Sequence, residues 1–330
     1  MPDETLLLPT YRAVNNSFRL KWTPFQTGLA ANSTLGNSSV GEIRRERRTK
    51  AKRKMPLPPL LTGHVCAITG GLTGIGRGIA LLFLSHGARV AINYLSSHNK
   101  DEENLLISFK NEALEAMQAR SPERRFEGVP ILFVSGDISQ PQTGQYFIRQ
   151  TVQNFGRIDT FISNAGICKF EEFLEISPES WQRHLNTNLS GAFYAVQAAA
   201  KQMTEQQPQG GSIIGISSIS ALVGGAQQCH YTPTKAGILS LMQSTATALG
   251  KYNIRCNALL PGTIRTQLND DDLADGSEKK KYMEGRIPLG RLGKPDDMAG
   301  PALFLACGEL SSYVTGAALL VDGGAFVNFQ

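Results

Sequence analysis

Tyr231 and Lys235 lie four residues apart in YTPTKAGILSLMQSTATALG, a stretch rich in helix formers after its first turn. That spacing puts both side chains on one helix face. A phenol titrates near roughly 10 in water, and a neighbouring ammonium favours its ionised form. The pair is therefore suited to acid/base work closer to neutrality. Many helices carry a Tyr and a Lys at this spacing by chance, so the signal depends on its surroundings. Ser218 stands thirteen residues before Tyr231, at the end of the apolar run GSIIGISS, where its hydroxyl can hold a substrate oxygen. Asn164 closes another apolar run in ISNAG, and Asn188 sits within LNTNLSGAFY. Each asparagine is open to a plain turn or capping role as well as to a place in a site.

A second group of residues points to a bound anion. Straight after the run VCAIT (65–69) comes Thr69-Gly-Gly-Leu-Thr-Gly-Ile-Gly76, leading into GRGIALLFLSHG. Glycine is called for at Gly70, Gly74 and Gly76, because a side chain would block the turn or the approach of a pyrophosphate. Thr73 and Ile75 lie in the same turn, and the helix N-terminus behind them supplies free amides and a positive dipole end. An acid some twenty residues further on would take the ribose diol of NAD. Tyr94 stands there, in AINYLSSHNK, and the next acid is Asp101. Ser96, Ser97, His98 and Lys100 can satisfy a phosphate, but no arginine is placed to clamp one. These residues serve equally well as caps for the next helix. Both NADP and NAD remain open as the cofactor.

The elements that must position these residues show in the hydrophobic pattern. Seven short, nearly continuous apolar runs (65–69, 89–93, 131–134, 159–163, 212–217, 255–260 and 318–322) alternate with helical stretches near 75–86, 100–120, 140–155, 178–206, 230–252 and 296–306. Strands buried on both faces read this way. Their alternation with helices predicts an α/β chain with a doubly wound parallel sheet of about seven strands, helices on both faces, as a single domain over 60–330. Before it, residues 1–59 lack periodicity and end in the proline-rich MPLPPLL. Eleven Lys and Arg against four acids give this arm +7 of a total of +5, leaving −2 for the rest. Eight of the eleven positions 44–54 are basic, which fits either a solvated, disordered extension or a nucleic-acid or nuclear-localisation patch. The solvated extension is the plainer account.

With 41% hydrophobic and 18% charged residues, the composition is that of a chain able to bury a sizeable core. No run of eighteen apolar residues suggests a membrane span. The five scattered cysteines, without a C-x-x-C pair, argue against a disulfide framework or a metal site and for a reducing, cytoplasmic setting.

Taken together, TGxxxGIG, NAG, the asparagine of N-L-x-G, S-x12-Y-x3-K and PGTIRT resemble, in type and order, the motifs of the short-chain dehydrogenase/reductase family, from about residue 62 to the C-terminus. The resemblance implies a Rossmann-type fold and NAD(P)-dependent hydride transfer at a carbon bearing oxygen. It implies Tyr231 as acid/base, Ser218 holding the reacting oxygen, and Lys235 lowering the tyrosine pKa and binding the nicotinamide ribose. It further implies Asn188 supporting a relay water, Asp137 and Ile138 at the adenine, and Asn164, Ala165 and Gly166 beneath the cofactor. Pro261, Gly262, Ile264 and Thr266 would hold the carboxamide. A homo-oligomer, tetramer or dimer, is the family expectation, with helices 178–206 and 230–252 packing between subunits.

For the substrate, Ser220, Cys168, Lys169 and Gln228 are candidate wall positions, and the charged stretch 264–290 reads as a lid or as a solvated helical pair. Segments around Tyr231, YMEGRIPLGRLGKPDDMAGPALFLA and LLVDGGAFVN are similar to a sugar-oxidising branch, the fungal L-rhamnose 1-dehydrogenases. That similarity implies oxidation of the anomeric hydroxyl of an aldose to a lactone. Two other readings stand beside it. One is a different enzyme of the family, such as a 3-oxoacyl-thioester reductase or a polyol dehydrogenase. The other is a catalytically silent dinucleotide sensor whose basic arm binds nucleic acid.

Overall fold

A computed structural model of the chain describes residues 58–270 and 272–328. The basic arm up to residue 57 lies outside them. Seven strands are present: β1 (Val65–Thr69), β2 (Arg89–Tyr94), β3 (Ile131–Ser135), β4 (Thr160–Ser163), β5 (Gly211–Ile216), β6 (Ile254–Pro261) and β7 (Ala318–Val321). They form one parallel sheet in the order β3-β2-β1-β4-β5-β6-β7. Each strand matches a predicted apolar run with its ends within one residue.

Helices cover both faces: α1 (Gly74–Ser85), α2 (Lys100–Arg120), α3 (Pro141–Phe155), α4 (Pro178–His184), α5 (Gly191–Glu205), α6 (Thr232–Leu249), α7 (Glu278–Arg286), α8 (Pro295–Ala306) and the short α9 (Gly308–Ser311). The strands read as unbroken apolar runs because alternate residues feed two separate cores. Cys66, Ile68, Val90 and Ile92 pack with Ile79 and Phe83 of α1, Phe109 of α2 and Met298 of α8. Ala67, Ala91, Ile213 and Leu260 pack with Phe147 of α3, Val196 of α5 and Met242 of α6. Strand order reverses between β1 and β4, and a doubly wound sheet opens its ligand crevice at that point, beyond the carboxyl ends of the strands.

Two elements differ from the sequence reading. The stretch 178–206 is not one helix: a π-turn over Leu185–Ser190 joins α4 to α5, with the amide of Gly191 donating to the carbonyl of Asn186. The cause is Asn188, whose fully buried side chain is drawn inward to pair with backbone outside its own helix. The segment 264–290 holds one helix, α7, rather than a pair. It is anchored by a small apolar cluster of Leu273, Ile287 and Leu292 with Met283.

Candidate active site

The crevice is a cavity of about 1570 Å³ running from the glycine turn, past the ends of β4 and β5, to α7. That exceeds the 300–1,000 Å³ or so typical of a site for one drug-sized ligand and suits a dinucleotide with a substrate beside it. At one end, Gly70 holds φ +61°, and a Cβ there would lie 2.8 Å from the Cα of Ala165. Gly74, at φ +54°, starts α1, whose first turn has no acidic residue. The turn is thus an open cradle at a helix N-terminus, a fit for a pyrophosphate. Gly76 does not line the cavity. A Cβ on it would lie 2.5 Å from the carbonyl oxygen of Gly70, so its part is close packing of helix on strand.

Asn164 is a structural tie. Its Nδ2 donates to the carbonyls of Thr69 (2.9 Å) and Gly70 (2.8 Å), holding the glycine turn against the end of β4. The Thr69 hydroxyl in turn accepts from the amides of Asn164 (3.0 Å) and Ala165 (3.1 Å). Asp137 caps its own turn through Ser139 and lines the cavity beside Ile138. Ala165 and Gly166 form the floor, and Pro261, Gly262, Ile264 and Thr266 one side wall.

The reacting end is built on β5 and α6. Tyr231 occupies the N-cap position of α6, with Pro233 in the first turn, where a missing N–H is tolerated. The Ser217 hydroxyl donates to the carbonyl of Lys235 (2.7 Å), fixing the helix against the strand end. The buried Lys235 ammonium donates to the carbonyl of Ile216 (2.9 Å) and stands 5.5 Å from the centre of the Tyr231 ring. Burial brings Lys235 down to about 8. The Tyr231 phenol is pushed upward, chiefly by burial, against a lowering from the Ser218 hydroxyl. Ser218 is nearly buried, and its Oγ accepts from the amide of Ser220 (3.0 Å).

Asn188 lies behind the cavity wall rather than in it. Its Oδ1 accepts from the amide of Ile167 (2.8 Å), and its Nδ2 donates to the carbonyl of Ile167 (2.9 Å) and to the Thr234 hydroxyl (3.2 Å). It thereby braces the end of β4 against the start of α6.

Among the substrate candidates, Ser220, Cys168 and Gln228 line the cavity, and the Gln228 amide donates to the Cys168 thiol (3.4 Å). Lys169 does not: its ammonium turns outward to Glu171 (2.8 Å), which also pairs with Ser180 and His230. Ser96 is also displaced from its expected role, since its hydroxyl is committed to Glu102. Residues that the sequence reading did not single out contribute Asp272, Lys279, Tyr282, Met283 and Arg286 from the 264–290 segment, and Glu102 beside Tyr94. The charged character of 264–290 was the only signal for the first group. Glu102 had no local signal.

Comparison with known proteins agrees with this geometry. A family described as Enoyl-(Acyl carrier protein) reductase matches residues 70–325. The crystal structure of a short-chain type dehydrogenase/reductase from Mycobacterium marinum superposes with a TM-score of 0.70 at 34% identity, covering 80% of this chain and 96% of that one. The chain belongs to the short-chain dehydrogenase/reductase family. Within that family it is 59% identical to an L-rhamnose-1-dehydrogenase of Scheffersomyces stipitis over 82% of this chain and 99% of that protein. It is 52% identical to an L-rhamnose 1-dehydrogenase (NAD(P)(+)) of a Sphingomonas species, again over 82% and 99%. As a family member the chain is an oxidoreductase, and no described helix is long and apolar enough to cross a membrane.

Proposed function

We propose that this chain oxidises the anomeric C1 hydroxyl of an aldose, L-rhamnopyranose, to the lactone with NAD(P)+. The observation that carries the reading is the meeting of Ser218, Tyr231 and Lys235 at the polar end of a cavity that begins in a dinucleotide cradle. The identity to L-rhamnose dehydrogenases selects the sugar. Bound NAD(P)+ supplies the hydride acceptor and a positive charge. Ser218 would hold the C1 oxygen, and Tyr231 in its phenolate form would take the hydroxyl proton as C1 gives its hydrogen to the bound dinucleotide as hydride. Burial that raises the phenol also makes its anion a strong base once formed. Lys235, poised near 8 beside the Tyr231 ring, titrates close to neutrality and so can pass a proton toward water. Asn188 keeps the β4 end and α6 in register, while Cys168, Gln228 and Ser220 face the sugar.

Residues 60–330 act as one domain in this reading and carry the chemistry. Trp181 on α4 and Phe193 on α5 each present a partly exposed aromatic side chain, which supports a homo-oligomer built across these helices. Free, scattered cysteines support a reducing, cytoplasmic setting. The test is a screen of the purified chain with L-rhamnose, other aldoses and a 3-oxoacyl thioester, each with both cofactors. Reduction of cofactor by L-rhamnose is expected; turnover of the thioester without turnover of L-rhamnose would sink the assignment.

A further inference from the structure

The adenosine end of the cavity contains a carboxylate that does not come from the strand end. Tyr94 closes β2, where an acid would take a ribose 2′-hydroxyl. Glu102, in the first turn of α2, folds back over the connecting loop instead. One of its oxygens accepts from the amides of Ser97 (2.7 Å) and His98 (2.8 Å), and both accept from the Ser96 hydroxyl (2.7 and 3.0 Å). These donors, Ser96 first, hold its pKa down to about 2, so the group is ionised at neutral pH. Tyr94 and Glu102 line the same end of the cavity, and the Tyr94 phenol is pushed up by burial and then by Glu102.

His98 and Lys100 stand next to Glu102 in a small separate pocket and do not line the cavity itself. Arg77, the arginine of the glycine-turn helix, is spent on Glu112 (2.8 Å), Ser108 (3.0 Å) and the carbonyl of Leu72 (3.1 Å). Among the described residues, the cationic side chains that line the cavity are Arg183, Lys235, Lys279 and Arg286, all from other elements.

We propose that Glu102 is the residue that sets cofactor choice in this chain: it accepts the ribose 2′-hydroxyl of NAD+ and disfavours the 2′-phosphate of NADP+. The inference rests on the reading that a dinucleotide binds in this cavity. An acid on the next helix replaces the one missing from the strand end. A 2′-phosphate arriving here meets a like charge, and the amides of Ser97 and His98 that would have received it are already occupied. Sequence spacing from the glycine turn misses this acid because a loop return, not the strand, delivers it.

The test is direct titration of NAD+ and NADP+ into the purified full chain and into Glu102→Gln and Glu102→Ala. NAD+ is expected to bind the unaltered chain more tightly. Both variants should shift the ratio of the two affinities toward NADP+ by about tenfold or more. Raising the salt concentration should narrow the ratio in the unaltered chain and leave it flat in the variants. Tighter binding of NADP+ by the unaltered chain, or an unchanged ratio in both variants, overturns the proposal. Binding of neither dinucleotide overturns both readings. Dinucleotide binding without turnover of L-rhamnose overturns only the substrate assignment, because this readout needs no sugar.

Discussion

The two ends of one cavity are built differently. At the reacting end, Lys235, Ser218 and the brace Asn188 are nearly or fully buried, and their positions follow from strand ends and one helix face. At the adenosine end, Ser97 and His98 are exposed and Ser96 and Glu102 half-buried, held by loop hydrogen bonds around a carboxylate. Burial at the first end tunes basicity and leaves little room for substitution. Exposure at the second leaves charge as the main lever, which one side chain can change. Chemistry is therefore invested in the sheet, and selectivity in a loop.

The comparison can be broken most forcefully at Tyr231. Tyr231→Phe removes the acid/base oxygen and leaves the cradle untouched. It should lower kcat by about a thousandfold or more while dinucleotide affinity stays within about twofold. Steady-state rates and cofactor titration check it, and near-normal turnover would remove Tyr231 from the chemistry.

Lys235→Met sharpens the contrast through pH. Lys235 is held near 8, below its ordinary 10.5, because burial disfavours the ammonium. Between these values the unfolded chain binds more protons than the folded one, so this group makes stability rise with pH from about 8 to about 10.5. Denaturant titrations across that window should show the variant lacking this increment relative to the unaltered chain. Parallel pH profiles of the two would contradict the burial of a titrating amine.

The smallest effect belongs to Lys169→Ala. This side chain is mostly exposed and pairs with Glu171 outside the cavity, so stability should fall by only about 0.5 kcal/mol and KM for the sugar should stay within about twofold. A large rise in KM would return Lys169 to the substrate wall.

Much of the architecture was readable before the structure. The seven apolar runs became the seven strands because both faces of each are covered, so no alternation obscured them. Ser218, Tyr231, Lys235 and the glycine turn were readable because each is tied to a strand end or a helix start. What could not be read depended on contacts between distant segments. Asn188 breaks a periodic helix only because the backbone of Ile167, twenty-one residues earlier, is there to receive it. Lys169 stands three residues beyond the NAG motif, yet the attraction of Glu171 turns it away. Glu102 is one of three acids in the first turn of α2, and only the fold of the preceding loop brings it to the cavity.

The Thr69 hydroxyl has a wider consequence. It ends β1 and accepts from two amides beyond β4, where the left half of the sheet meets the right half. Past the last backbone pairing of β1 with β4, this one oxygen continues the joint between the two halves, and Asn164 closes it from the other side. The glycine turn and the floor under the reacting end are mechanically one part. Any displacement at the turn is handed directly to the residues on which the sugar chemistry rests.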